Sequence, residues 1–148
     1  MKAFVVEERQ LPSSDFFVIP ALQAKGYEVV RCGLKVLPDQ DELNGAVVVL
    51  VRYFSSAWKQ LIEKARKQLH QLIFFMDDDL FDLNATQGTV VGYRLRIAWK
   101  ATRHVKWLQK QSADLWVSTP YLFKKYHDSE PKLLLPSSIK HGQKNEST

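Results

Sequence analysis

The sequence predicts a single α/β domain with a doubly wound, mostly parallel β-sheet and helices on both faces. Short, unbroken apolar runs, which are typical of strands covered on both faces, occur along most of the chain. Between them lie segments whose apolar residues recur at helical spacing, and this alternation is typical of a parallel sheet. The length of 148 residues suits one hydrophobic core.

Six apolar runs predict six strands. The longest run, Ala46–Val51, is β-branched and has the length of a strand rather than of a helix. Right-handed crossovers bring the carboxyl ends of parallel strands to one edge of the sheet, where such folds bind ligands. The strands are predicted at residues 4–6, 29–30, 46–51, 72–76, 115–117 and 132–135.

The first helix is predicted over residues 15–25. Ser13 or Ser14 stands at the position of an N-cap, and Gly26 closes the helix. Pro20 falls inside this segment, so we expect a kink there.

Three further helices follow from apolar spacing and capping residues. A helix after the third strand is capped by Ser55 or Ser56, and a long helix covers residues 93–112. The last, short helix begins at Thr119-Pro120, a cap followed by proline at the first helical position. The inward stripe of the first of these three helices is Trp58, Leu61, Ile62, Ala65 and Leu69.

The composition excludes several classes of protein. Hydrophobic residues make up 45% of the chain and aromatic residues 11%, which excludes an intrinsically disordered chain. No apolar run approaches the ~18 residues of a membrane span, and Met1-Lys2 leads into a strand-like run rather than a signal peptide. Cys32 is the only cysteine, so no internal disulfide can form and we expect a cytoplasmic location.

Three successive carboxylates follow the fourth predicted strand. Asp77, Asp78 and Asp79 stand directly after an apolar run, and adjacent like charges raise one another's pKa, so the arrangement is electrostatically costly. The functional interpretation is a site that holds a general base, a pair of metal ligands, or acceptors for sugar hydroxyls. The alternative is a turn, because aspartate tolerates turn geometry.

Four segments of the chain, in the order in which they occur, resemble the N-terminal half of GT-B glycosyltransferases of polysaccharide and glycan biosynthesis. In that family an apolar run, Asp-Asp and Leu-Phe precede an Ala-Asp-Leu-x-x-Ser-Thr-x-x-Leu element. The resemblance covers most of residues 3–139. The matching segments are 14–22 with 26–29, 49–52, 74–81 and 113–122.

The resemblance implies a Rossmann-like domain over residues 1–136 that binds a glycan or lipid-linked acceptor. Asp77 or Asp78 would assist deprotonation of the acceptor hydroxyl. No cofactor is expected in this chain, because the nucleotide-sugar donor would bind a second domain or subunit. The resemblance also implies that the reaction has no obligatory metal. Residues 137–148 are then a polar tail or a truncated interdomain linker. The acceptor-binding residues would be Asp79, Ser118, Thr119, Arg52, Ser13 and Ser14.

The sequence departs from the family pattern at two points. The loop after the first strand has no glycine where many members have a Gly-Gly pair, so a backbone contact to donor phosphates is not expected here. Asp77-Asp78 stands where many relatives have His-Asp. Two other functions stay open: a non-catalytic Rossmann-like binding module, and a small metal-dependent enzyme that uses the Asp77–Asp79 cluster.

One predicted helix carries more positive charge than the chain's net +5. No acidic residue lies between Asp82 and Asp114, whereas six lysines and arginines do. A basic stripe with tryptophan beside it suits an anionic membrane surface, here the inner face; the alternative is a solvated face. No nucleic-acid partner is expected, because no recognition motif accompanies the stripe. The predicted membrane contacts are Arg96, Lys100, Arg103, Trp107 and Lys110.

Overall fold

The computed structural model describes residues 1–10, 12, 14–52, 54–76 and 104–134. Within these ranges six strands form one sheet in the order β2-β1-β3-β4-β5-β6, and every pair of neighbours is parallel. The predicted α/β class and the parallel sheet are therefore confirmed, as is each of the six predicted strands. The strands are β1 Lys2–Val6, β2 Glu28–Cys32, β3 Val47–Val51, β4 Gln71–Met76, β5 Asp114–Val117 and β6 Lys132–Leu133.

Within the described residues, four α-helical segments lie between these strands. Three have defined bounds: α1 (Ile19–Ala24), α2 (Ser56–Ala65) and α4 (Pro120–Lys125). Residues 104–110, called α3 below, are helical and lie within the predicted third helix, while residues 77–103 fall outside the described ranges. None of the described helices is long and apolar enough to cross a membrane.

The sheet is buried on both faces by two separate apolar clusters. Alternate residues of a strand point to opposite faces, so β3 contributes Val48 and Leu50 to one cluster and Val47 and Val49 to the other. Helix α1 packs on the second cluster through Leu22. The first cluster includes Trp58 and Ile62 of α2, Trp107 and Leu108 of α3, and Leu122 of α4.

The helix positions follow from the direction in which the chain moves across the sheet. From β1 the chain crosses to β2 on one side, whereas β3, β4, β5 and β6 succeed one another on the other side. Right-handed crossovers then place α1 on one face and α2, α3 and α4 on the opposite face. The direction changes between β1 and β3, so the topological switch point of the sheet lies there.

Helix α2 begins and ends as its local sequence dictates. The Ser55 hydroxyl accepts a hydrogen bond from the Trp58 amide at 3.2 Å, which identifies Ser55, not Ser56, as the N-cap. The helix ends at Ala65 and a 3₁₀ turn follows, so Leu69 of the predicted stripe lies beyond the helix. Leu69 is nevertheless buried in the same cluster as Ile62.

The first helix differs from its prediction at its N-terminal end. Residues Ser14–Val18 form a π-helical turn, and α1 starts only at Ile19. Pro20 explains the change, because it has no N–H to bond the carbonyl of Phe16 four residues earlier. Ser14 is the first residue of this turn and not a cap, while Ser13 lies outside the described residues. Gly26, at φ +84°, closes the segment as predicted.

Helix α4 has the predicted start. The Thr119 hydroxyl accepts a hydrogen bond from the Leu122 amide at 3.2 Å, and Pro120 follows it. Leu122 is 2% exposed, but Tyr121 and Phe123 are 62% and 37% exposed. The six-residue helix thus buries one apolar side chain and leaves two aromatic rings at the surface. Residues 135–148, which include the predicted tail, lie outside the described ranges.

Truncating a central core ring tests this packing. Phe75→Ala on β4 is expected to lower the free energy of unfolding by about 3–5 kcal/mol, because the ring is completely buried and its removal leaves a cavity. Phe16→Ala, the same change at a residue that is 51% exposed, should cost within about 1 kcal/mol. Urea denaturation of both variants measures the difference, and equal losses would contradict the described core.

Candidate functional site

The carboxyl edge of the sheet gathers several of the residues predicted to bind an acceptor. Val51 pairs with Phe75, and Met76 pairs with Val117, so β3, β4 and β5 end close to one level. Arg52 follows β3 and Ser118 follows β5 at that edge. Asp77, Asp78 and Asp79 come next after Met76 in the sequence and lie outside the described residues.

Arg52 has an unusual backbone conformation at this edge. Its φ is +68°, in the left-handed region, where a residue with a side chain carries a cost of about 1–2 kcal/mol. Its amide donates a hydrogen bond to the Phe75 carbonyl at 3.0 Å, which ties the end of β3 to β4. Such outliers concentrate at ligand-binding sites, where the surrounding structure imposes them. The side chain is half-buried, so part of it faces solvent.

Thr119 and Ser118 differ in what their side chains do. The Thr119 hydroxyl is engaged as the N-cap of α4, which is one of the two roles its sequence context allowed. Ser118 is half-buried between the end of β5 and that cap. Of this pair, Ser118 is therefore the better candidate for a contact with a ligand at the edge.

A buried ionic network stands at the carboxyl ends of β1 and β2. Glu7, which is 2% exposed, accepts a hydrogen bond from the Arg31 Nε at 2.7 Å and another from the Ser14 hydroxyl at 2.5 Å. Arg31 also donates through Nη1 to Asp15 at 2.6 Å. Charge-assisted bonds of this kind are stronger than neutral ones. The network therefore holds the start of the loop after β1, which lies at the switch point, against β2.

The network stabilises the positive charge of Arg31. Its pKa is raised above the ordinary value, first by the hydrogen bond to Glu7 and further by Asp15, whereas burial acts in the opposite direction. Among the described residues, no hydrogen-bond acceptor faces its buried Nη2. Arg31 thus remains a cation beside the switch point.

The sequence patterns do not predict Glu7 and Arg31 as part of a site, and they predict a different role for Ser14. Ser14 is completely buried, and its hydroxyl is directed to Glu7, so it supports the loop instead of facing an acceptor. The only sequence signal was a charged residue at the end of one apolar strand and another inside the next. Neither spacing nor periodicity pairs two residues that are 24 positions apart.

Trp107 is on the opposite side of α3 from its predicted position. It is 7% exposed and stacks on Phe54, with ring centroids 5.0 Å apart. Phe54 also contacts the rings of Phe74 and His104. Burial against these aromatic side chains places Trp107 in the core, so its prediction as a membrane contact is wrong. Lys110 is exposed as predicted, and Arg96, Lys100 and Arg103 lie outside the described residues.

Two further features of the described chain are an apolar cavity and the buried thiol of Cys32 at the carboxyl end of β2. An apolar cavity of about 240 Å³ is lined by Val105 and Leu108 of α3, Leu115 of β5 and Tyr126. Cys32 is 8% exposed, and its pKa is raised by burial and by the charge of Glu42, which disfavours the reactive thiolate. Within the described residues no three His, Cys, Asp or Glu side chains are grouped to hold a metal ion.

Comparisons with known proteins found no match for the chain. It matches no protein-family model, no curated protein and no solved structure. The candidate site therefore rests on the geometry of the carboxyl edge and of the switch point.

Removing the charge of Glu7 tests the network. Glu7→Gln keeps the shape of the side chain but leaves the Arg31 guanidinium without its buried counter-charge. We expect the free energy of unfolding to fall by about 2 kcal/mol, the value of a charge-assisted hydrogen bond. Glu8→Gln makes the same change at the exposed neighbouring residue and should stay within about 0.5 kcal/mol of the parent chain. If the two variants lose equal stability in urea denaturation, the network contributes nothing.

Proposed function

We propose that this chain is the acceptor-side lobe of a glycosyltransferase, in which the carboxyl edge of the sheet binds a glycan or lipid-linked acceptor. The observation that carries the proposal is that β3, β4 and β5 end at nearly the same level of the sheet. Arg52 and Ser118 therefore lie at one edge, on either side of β4. Asp77 is the next residue after β4 in the sequence. The order of motifs that resembles the GT-B family supports the same assignment.

The chemistry of the edge suits an acceptor hydroxyl. A carboxylate of Asp77 or Asp78 accepts the proton of the attacking hydroxyl, and a general base of this kind contributes about 10²–10⁴-fold to a rate. Ser118 offers a hydroxyl that both donates and accepts hydrogen bonds. Arg52 offers a permanent cation for a phosphate or carboxylate group of the acceptor.

The donor half of the reaction belongs elsewhere in this proposal. The nucleotide-sugar binds a second domain or subunit, as in the two-lobed enzymes that the sequence resembles. The switch point between β1 and β3 then faces that partner at the same edge as the acceptor. The Glu7–Arg31 network keeps the loop after β1 in place on this side.

A second candidate function rests on the run of three aspartates alone. Asp77 and Asp79 have the Asp-x-Asp spacing with which several enzymes hold a divalent cation, and carboxylate oxygens are the ligands that Mg²⁺ and Mn²⁺ prefer. Calorimetry with Mn²⁺ separates the two functions. Tight binding that Asp77→Asn/Asp79→Asn abolishes favours a stand-alone metal-dependent enzyme, whereas the transferase lobe needs no such affinity.

Chemical-shift mapping tests the acceptor site. The ¹⁵N-labelled chain is titrated with maltose, cellobiose, lactose and chitobiose, and we expect at least one of them to shift the amides of Arg52, Met76 and Ser118. Asp77→Asn/Asp78→Asn should weaken that binding by about tenfold or more, because a hydrogen bond to a carboxylate is lost.

The same titration with Glu28→Gln, at the exposed first residue of β2, is the control for a lost carboxylate away from the carboxyl edge, and its affinity should be unchanged. Shifts confined to other parts of the chain, or none with any of the four sugars, would contradict the proposal. Binding at the edge without dependence on Asp77 or Asp78 would favour a non-catalytic binding module.

A further inference from the structure

The helices on one face of the sheet carry an excess of positive charge. Helices α2, α3 and α4 pack on the same apolar cluster and therefore cover the same face. Among the described residues of these three helices Glu63 is the only acid. Apart from His104, the basic residues described in these helices are all lysines: Lys59, Lys64, Lys106, Lys110, Lys124 and Lys125.

The positive charge is concentrated on α3 and α4. Lys106, Lys110, Lys124 and Lys125 are exposed, and no acid lies within the described residues of either helix. On the flanks, the 3₁₀ turn Gln40–Leu43, which packs against α2, carries Asp41 and Glu42, and the turn His127–Ser129 after α4 carries Asp128. These acids offset part of the positive charge. We call the outer surface of α3 and α4 the lysine face.

Two aromatic rings accompany these lysines. Tyr121 and Phe123 of α4 are 62% and 37% exposed, although both are large apolar residues. The Lys125 ammonium lies 5.6 Å from the centre of the Tyr121 ring, so cation and ring form one surface. A ring with an apolar body and a polar tip suits the boundary between lipid headgroups and acyl chains.

We propose that the lysine face docks this chain on an anionic lipid bilayer. Lysine is a flexible, strongly hydrated point charge, which suits a planar surface of diffuse negative charge.

The docking surface is independent of the acceptor site. The lysine face covers one side of the sheet, whereas the carboxyl edge runs across the strand ends. Membrane binding and acceptor binding can therefore fail separately. A chain that binds sugars but not vesicles would overturn only the docking proposal.

Vesicle co-sedimentation measures the docking. The full chain is mixed with vesicles of phosphatidylcholine alone, or with about 30% phosphatidylglycerol, at about 0.1 M and about 1 M salt. We expect binding to the anionic vesicles at the lower salt and little at the higher, because salt screens exposed charges. Equal binding to both lipid mixtures would overturn the proposal.

Variants locate the surface. Lys106→Gln/Lys110→Gln should lower the partition coefficient by about 25-fold, since each lysine near an anionic surface contributes about 5-fold. Tyr121→Ser/Phe123→Ser should weaken binding without changing its dependence on salt. Lys2→Gln/Lys25→Gln removes the same charge from exposed positions outside α2, α3 and α4, and should leave binding within about threefold of the parent chain.

Two results would overturn the assignment. An equal loss in the control pair would mean that net charge alone attracts the chain to the vesicles. Displacement from anionic vesicles by a single-stranded oligothymidine, with tighter binding to it than to lipid, would assign the face to nucleic acid. Circular dichroism of each variant confirms that its fold is retained before it is scored.

Discussion

The burial of β3 on both faces is the constraint on which the rest of the structure depends. All five residues Val47–Val51 are buried, and they alternate between the two apolar clusters of the domain. A strand of this kind is stable only where helices cover both sides, since burial of its side chains supplies the main driving force. The chain meets this demand with α1 on one face and α2, α3 and α4 on the other. The lysine face is thus the outer surface of a layer that the core requires.

The same constraint produces the candidate site. The connection from β1 to β2 and the connection from β3 to β4 run in opposite directions along the sheet, with their helices on opposite faces. The loops that follow β1 and β3 therefore diverge. Glu7 and Arg31 hold the first of these loops by buried ionic bonds. Arg52 starts the second in a left-handed conformation that the bond to Phe75 maintains. Both loops are thus held at their starts by hydrogen bonds, and loops held in place lose less entropy when a ligand binds.

Much of the fold followed from local patterns in the sequence. The six apolar runs predicted the six strands of the described chain. The caps were predicted as Ser55 or Ser56 and, as one of two roles, Thr119, because capping depends on residues only three positions apart. The failures involve tertiary contacts. Trp107 was predicted as a membrane contact because it stands beside the basic stripe, but its ring is buried against Phe54 in the core. Ser14 and Arg31 both donate hydrogen bonds to Glu7, and Arg31 reaches it only when β1 and β2 pair. No spacing along the chain predicts these contacts. The carboxylates of Asp77–Asp79 remain a sequence-based prediction.

Native-state amide hydrogen exchange tests the central role of β3 most directly. If β3 is the constraint on which both helix layers depend, its amides at Val48, Val49 and Leu50 exchange only through global unfolding, together with those of Ile73 and Phe74 on β4. The hydrogen bonds of the edge strands β2 and β6 then open at lower free energy, because each of these strands pairs with one other strand only within the described residues. Exchange from β3 that is as fast as from β2 or β6, under conditions where the chain is fully folded, would contradict the account.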